Sequence, residues 1–245
     1  MRSVRYNVVM NKIKDRPQYK VYAAAIDDVL KFENAVLVVD DADAYIADTK
    51  DGTRKCLLDG IDGFVRLADK YGLKDRSACV YNMPLDFSAV TGISADACVT
   101  YAYFDAMPPA LGDADIRRLA PTLAGVIAAR YRNKNGAFSV EHVERLMRDK
   151  GVFGAIEGGA LAGFIGRHSD GNMGMLEVDE RFRRRGLGEQ LQRFMMNYVM
   201  TFGRVPLCDV YADNEPSVRL QKKSGMTPAP AYTFWSEDRK LRIKN

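Results

Sequence analysis

The chain has 245 residues, 47% hydrophobic and 28% charged, enough for one large domain or two small ones with their own cores, and that apolar content without low-complexity runs excludes disorder. Lys and Arg exceed Asp and Glu by 36 to 32, and the surplus lies beyond residue 95: residues 1–95 hold 14 of each sign, the remainder 22 against 18. So small an excess excludes nonspecific coating of nucleic acid and suits one local anionic ligand. No apolar run approaches a membrane span, and the N-terminus, MRSVRYNVVMNKIKDR, turns polar too early for a signal peptide. Cysteines at 56, 79, 98 and 208 form no CxxC and no Cys/His cluster, so no metal site is expected, and four reduced thiols of a cytoplasmic protein are.

Residues 17–33 open on a proline and carry an apolar helical stripe, Val21, Ala24, Ala25, Val29, Leu30 and Phe32. Two short strands, 35–41 and 44–49, precede the turn Lys50-Asp51-Gly52, and a helix over 61–72 closes at Gly72. Residues 77–82 form a further strand candidate, and no chemical motif stands in this third. A boundary is expected near 92–97, giving an N-terminal α/β domain (1–95) and a C-terminal domain (96–245). The second begins with a strand at 97–104. Helices follow at 116–132 and 139–151, the latter capped by Ser139 and stopped by Gly151. Two turns, Glu157-Gly158-Gly159 and Asp170-Gly171, divide 152–180 into a three-stranded meander. An amphipathic helix at 187–202, a strand at 205–213, a short helix at 215–225 and an extended piece at 227–235 complete the chain. Met195, Met196 and Met200 of the long helix read as core fillers, and His142 as a surface residue of a charged helix.

The informative segment is LEVDERFRRRGLGEQL (176–191). A strand ends at Val178, and Arg183-Arg184-Arg185-Gly186-Leu187-Gly188 leads straight into a helix. The first four N–H groups of a helix have no intrahelical partner, and the macrodipole adds about half a positive charge. Gly186 and Gly188 present no side chain to keep a phosphate from them, so the segment reads as a phosphate socket ringed by arginines. It is neither GxGxxG nor GxxxxGK[ST]. A basic run alone is usually a solvated face; the glycine spacing and the strand-to-helix setting argue against that here.

The segment resembles the GCN5-related N-acetyltransferase superfamily, whose [QR]xxGx[GA] signature is matched by Arg183, Gly186 and Gly188. A second block, Val210-Tyr211-Ala212-Asp213-Asn214 leading into Glu215-Pro216-Ser217-Val218-Arg219-Leu220 and closing at Gly225-Met226, is similar to the superfamily's next strand, Asn and short helix. The resemblance covers about 97–235. The phrase GALAGFIGRHSDGNMGMLEV is similar to the glycine N-acyltransferase-like branch, which makes residues 1–95 a degenerate second acyltransferase-like half without a working site.

The resemblance implies a mixed-sheet α/β acyl-CoA N-acyltransferase fold, with acetyl-CoA or another acyl-CoA as cosubstrate. Its diphosphate lies on the backbone from Arg184 to Glu189, through Arg185, Gly186, Leu187 and Gly188. Val178 N–H polarises the thioester carbonyl, Asn214 bonds the cofactor arm or caps the short helix, and Ser217 caps that helix or touches the ligand. An alkylamine near pKa 10.4 is only about one part in a thousand neutral at pH 7, so a base helps. The superfamily often places it six or four residues before the Val178 position, where this chain has Asn172 and Gly174; its usual Tyr acid after Leu220 is Gln221 here. Three catalytic candidates remain: Glu177, which strict alternation turns away from Val178 unless a bulge intervenes; His168, before a turn; and Tyr211, across the wedge. The expected function is acetyl transfer to a primary amine of a small molecule, an amino acid by the branch resemblance, in a ternary complex. The expected partner is that amine alone, with neither nucleic acid nor membrane, for a monomer or homodimer. A noncatalytic acyl-CoA sensor is the alternative, and a nucleic-acid reader using Arg181 to Arg185 a third reading.

Overall fold

The computed structural model describes residues 12–73, 77–92, 95–131 and 138–236. In chain order, the first part contains α1 (Lys20–Phe32), β1 (Val36–Asp40), β2 (Ala44–Asp48), β3 (Arg54–Leu58), α2 (Gly60–Leu67), β4 (Ala78–Met83) and α3 (Phe87–Thr91). Next come β5 (Asp96–Ala102), β6 (Asp115–Arg118), α4 (Ala124–Arg130), α5 (Val140–Asp149), β7 (Val152–Glu157), β8 (Ala160–Arg167) and β9 (Met173–Val178). The chain ends through α6 (Leu187–Met200), β10 (Leu207–Tyr211), α7 (Glu215–Lys223), β11 (Thr227–Pro228) and β12 (Tyr232–Ser236).

Two compact units result. One holds the described residues up to Leu30, Asn34–Ala97 and the chain from Ala229 onward; the other holds Lys31–Glu33 and Cys98–Pro228. In the first unit β1, β2 and β3 run antiparallel, β3 pairs parallel with β4, and β12 pairs antiparallel with β4. Ile46, Cys56, Leu58, Val80 and Phe234 from these strands meet Phe64, Leu67 and Phe87 in one core. Strand β12 therefore completes the sheet of the first unit, whereas the sequence groups its residues with the C-terminal domain.

The second unit holds the expected meander, β7-β8-β9, antiparallel throughout. Glu157 pairs with Ala160, leaving Gly158 and Gly159 as a two-residue turn at φ 58° and 78°, the geometry that matches strand twist and that glycine adopts without strain. Ser139 caps α5 by accepting from His142 N–H at 3.1 Å. The predicted helix over 116–132 is corrected. Asp115–Arg118 pair with β7 as a fourth strand, Pro121 opens a 3-10 turn, and only Ala124–Arg130 are α-helical. Proline tolerates a helix start but not its interior, and it biases Ala120 towards the extended backbone observed there. Residue 132 of that predicted helix lies outside the described residues.

Helix α6 joins two layers. Leu187, Leu191, Met195, Met196 and Val199 recur three to four residues apart and pack on Phe153, Ala155, Ala162 and Ile165 of the meander. The same stripe touches Tyr101 of β5 and Cys208 and Val210 of β10, two strands paired with each other in register Tyr101–Cys208. The opposite face of the meander is covered by Ile127 of α4 and Val143, Leu146 and Met147 of α5, against Phe164 and Met175. Strand β9 is hydrogen-bonded to β8 and β10 to β5; among the described residues β9 and β10 share no ladder, so the sheet is split between them.

Gly163 sets how closely β8 approaches β9 and α6. A Cβ there would lie 2.8 Å from the Glu177 carbonyl oxygen and 3.1 Å from Leu191 Cδ1. Backbone cannot yield as a side-chain tip does. Gly163→Ala is expected to lower unfolding stability by about 1–3 kcal/mol in urea titration, and an unchanged midpoint would show that the three elements have room to spare.

Candidate functional site

The split between β9 and β10 opens as a cavity of about 510 Å³. Met173 to Glu177 of β9 form one wall, Cys208 to Tyr211 of β10 the other, and Gln192 of α6 and Gln221 of α7 also face it. Glu177, His168, Tyr211, Asn214 and Ser217, all singled out from the sequence, line it. Val178 does not; its side chain packs into the core beneath.

The backbone of Val178 is nevertheless aimed at the open side of β9. Asp179 N–H donates to Ala162 C=O at 2.9 Å, so the adjacent Gly163–Val178 pair is the one without mutual hydrogen bonds. In an antiparallel ladder the N–H and C=O of such a residue turn away from the partner strand. The carbonyl is accordingly taken by Arg183 Nε from outside, at 2.9 Å. The N–H points the same way, to the open edge of β9.

The bulge anticipated on this strand is present, but earlier. Phe164 pairs with Glu177 and Gly166 with Gly174, leaving Met175 and Leu176 opposite a single residue, with Met175 at φ 53°. Because the bulge precedes both, it does not alter the relation of Glu177 to Val178. Glu177 nevertheless lines the cavity, and Arg183 Nη2 holds its carboxylate at 3.1 Å.

His168 fills the place of a missing side chain. A Cβ at Gly174 would lie 2.1 Å from His168 Nε2, so the imidazole occupies the room that a residue at 174 would take. Phe138 stands edge-on to the ring, with centroids 6.0 Å apart. The backbone fixes the turn behind it: His168 N–H donates to Asn172 C=O, and Gly171 N–H to His168 C=O, both at 2.9 Å. The sequence separates positions 168 and 174 by a hairpin turn, which is why only the fold reveals the exchange.

The arginine loop begins at Asp179, which caps a 3-10 turn over Glu180–Phe182. Arg184 (φ 67°) and Gly186 (φ 77°) are both left-handed, a conformation that costs an arginine and suits glycine. Gly186 is the N-cap of α6 and supplies no capping side chain. The first recorded bond of the helix backbone from this end is Gln190 N–H to Gly186 C=O, 3.1 Å; the N–H groups of Leu187, Gly188 and Glu189 precede it. A Cβ at 186 would meet nothing within 4 Å, and one at 188 only Val178 Cγ2 at 3.7 Å. Gly186 thus faces open space, and Gly188 is bordered only by the Val178 side chain.

The arginines divide their work. Arg183 braces Val178 and Glu177; Arg185 pairs with Glu157 at 2.6 Å; Arg181 pairs with Asp179 at 2.9 Å. Arg184 is exposed and has no ion-pair partner among the described residues. Glu189, in the first turn, is shared by Arg193 at 2.8 Å and Lys223 at 2.5 Å, so its negative charge is countered next to the socket.

Asn214 Oδ1 accepts from Ser217 N–H at 3.2 Å: of its two sequence readings the cap of α7 is realised, with its amide group still at the cavity wall. Ser217 lies inside the helix and does not cap it. Burial and the neighbouring Asp209 carboxylate push the Cys208 thiol up. The sequence reading missed Asp209, which receives Thr100 Oγ1 at 2.5 Å and Asn172 Nδ2 at 3.1 Å. A carboxylate inside the apolar strand VPLCDVYAD was the available signal. Among the described residues no three His, Cys, Asp or Glu side chains gather as a metal set, and no helix is long and apolar enough to cross a membrane.

Residues 150–235 match the family model described as FR47-like protein, a span that contains β7 to β9, the socket, β10 and α7. A solved Drosophila protein is 22% identical, covering 78% of this chain and 73% of its own, with TM-score 0.56. An acetyltransferase of the GNAT family from Colwellia psychrerythraea is 15% identical, covering 92% and 97%, with TM-score 0.51. No curated protein matches the chain. The fold is that of the acyl-CoA N-acyltransferases. The matched segment contains Arg183, Gly186 and Gly188, the positions on which the resemblance to the GCN5-related N-acetyltransferases rests.

The Asp179 carboxyl anchors the loop. The Arg181 side chain first, and its N–H second, hold it at about 2, below the ordinary ~3.9. A lowered value means that folding favours the ionised form, so its stabilising effect is complete above the ordinary carboxylate range and lost as pH falls through about 2. Carbon-detected NMR should find the Asp179 midpoint near 2, and Arg181→Ala should move it up towards ~3.9.

Proposed function

We propose that the C-terminal unit transfers an acyl group, acetyl in the first instance, from an acyl-CoA directly to a primary amine of a small molecule. The observation that carries this reading is the uncapped start of α6 opening beside the split sheet. A diphosphate needs converging N–H donors and positive charge. Leu187, Gly188 and Glu189 supply the donors, Arg184 a guanidinium without an ion-pair partner among the described residues, and the two glycines the access. The bound carrier supplies the acyl thioester.

The chain's own groups then divide the chemistry. Arg183 fixes the end of β9 by holding the Val178 carbonyl. The Val178 N–H, directed to the same open edge, donates to an acyl oxygen as charge gathers on it. His168 is the best-placed base: its Nε2 stands against Gly174 on the cavity wall, whereas the Glu177 carboxylate is already engaged by Arg183. Tyr211 lies on the opposite wall, where a proton donor would serve the departing thiolate. The raised Cys208 thiol is a poor nucleophile, which favours direct attack by the amine over an acylated enzyme. The unperturbed socket also suits the sensor reading, from which turnover separates it.

Gly188→Val should raise the acetyl-CoA Kd by at least about tenfold, the equivalent of one lost charge-assisted hydrogen bond, as measured by calorimetry. Position 186 is less informative because its positive φ adds strain to any substitution. Unchanged affinity in Gly188→Val rules out the socket. His168→Gln should lower kcat by about 10²- to 10⁴-fold with acetyl-CoA affinity kept. Tight binding with no thiol release from any amine would identify a sensor.

A further inference from the structure

Residues Lys31 to Glu33, from the N-terminal part of the chain, belong to the second unit, and two of them hold one guanidinium. Arg204 Nη1 donates to Glu33 Oε1 at 2.6 Å. The Phe32 ring stacks against the same group, with its centroid 4.8 Å from Arg204 Cζ. The other carboxylate oxygen of Glu33, Oε2, takes the Lys150 ammonium. The Glu33 and Arg204 side chains are only 11% and 6% exposed, so salt and water screen the pair little.

This pair stands against the turn that carries His168. A Cβ at Gly171 would lie 2.8 Å from both Arg204 Cζ and Glu33 Oε1, so the ion pair rests directly on the Gly171 backbone. Gly171 N–H donates to His168 C=O, and His168 N–H to Asn172 C=O, which closes the turn on itself. The strand entering the turn is held from the same source. Arg167 Nε and Nη2 donate to Lys150 C=O at 3.2 and 3.0 Å, and Lys150 is the second cation on Glu33. One carboxylate thus fastens both approaches to His168.

Resting on the acyl-transfer reading above, with His168 as base, we infer that Glu33 is a positioning residue of the reaction. It acts through Arg204 and Gly171 on His168. Neither Glu33 nor Arg204 is in the described lining of the cavity, so neither touches the reacting atoms. A base must lie within hydrogen-bond reach of the proton it takes, and a misplacement of about 1 Å can cost about 100-fold in rate. The N-terminal part, in which no chemical motif stands, thereby supplies the catalytic unit with the brace for its base. A lysine at 204 would keep the charge opposite Glu33 but lack the planar fork that reaches Gly171. That substitution separates placement from charge balance.

Arg204→Lys in the full chain therefore tests the inference. With butylamine as acceptor, kcat for thiol release from acetyl-CoA should fall about 10- to 100-fold, while the acetyl-CoA Kd measured by calorimetry stays that of the unaltered chain. The chain has two histidines, so imidazole NMR reads the turn directly. The His168 signals, identified by their loss in His168→Gln, should move in Arg204→Lys. Glu33→Gln should give the same pattern. It leaves two cations without their carboxylate, so if it does not fold, Arg204→Lys decides alone, because it keeps every charge. Unmoved His168 signals or full kcat in Arg204→Lys overturn the inference and leave acyl transfer standing. A loss of acetyl-CoA affinity as large as the loss of kcat marks general damage and overturns it equally. Acetyl-CoA binding by the unaltered chain without thiol release from any amine overturns acyl transfer, and the inference with it.

Discussion

Helix α6 has to satisfy two sheets with one apolar stripe, and the site exists because it does. Its buried side chains reach the meander on one side and β5 with β10 on the other. Each fully buried Leu, Met or Val contributes roughly 1.5–3 kcal/mol, so the helix holds both layers firmly without any ladder between β9 and β10. Strands held apart by a shared helix leave a gap in which the β9 edge has no strand partner among the described residues. The same helix presents its first turn at the mouth of that gap, and with glycine at the cap no side chain competes for its N–H groups. The socket and the cavity are two ends of one packing solution.

Much of this was legible because it depends on local chemistry. The α6 stripe, the Gly158-Gly159 turn, the Ser139 cap and the Arg-rich strand-to-helix loop are each written in fewer than twenty consecutive residues. Where competing local signals met, the reading failed: residues 115–118 carry helical periodicity, yet β7 offered an edge to pair with and Pro121 imposed a break. Strand β3 was overlooked because Arg54 and Lys55 mask its apolar run; Lys55 is fully buried and its ammonium donates to Tyr81 at 3.3 Å. Strand β12 was assigned by its place in the chain, but hydrogen bonding puts it beside β4.

The site divides the same way. The residues of the proposed phosphate socket are contiguous, so the sequence presents them together. Cavity residues come from β9, β10, α6, α7 and the loop at His168, and only the fold decides which of them meet. Asp209 illustrates the difference. Its neighbours Thr100 and Asn172 are 109 and 37 positions away, so nothing local marks it as more than a polar interruption of a strand.

The occupation of residue 174's space by His168 has a consequence for how such a site can change over time. Glycine at 174 and histidine at 168 depend on each other: a side chain introduced at 174 would collide with the imidazole, and removal of the imidazole would leave a void on the wall. Neither single replacement passes through a well-packed intermediate. The two positions are therefore coupled by packing, and a change at one calls for a change at the other.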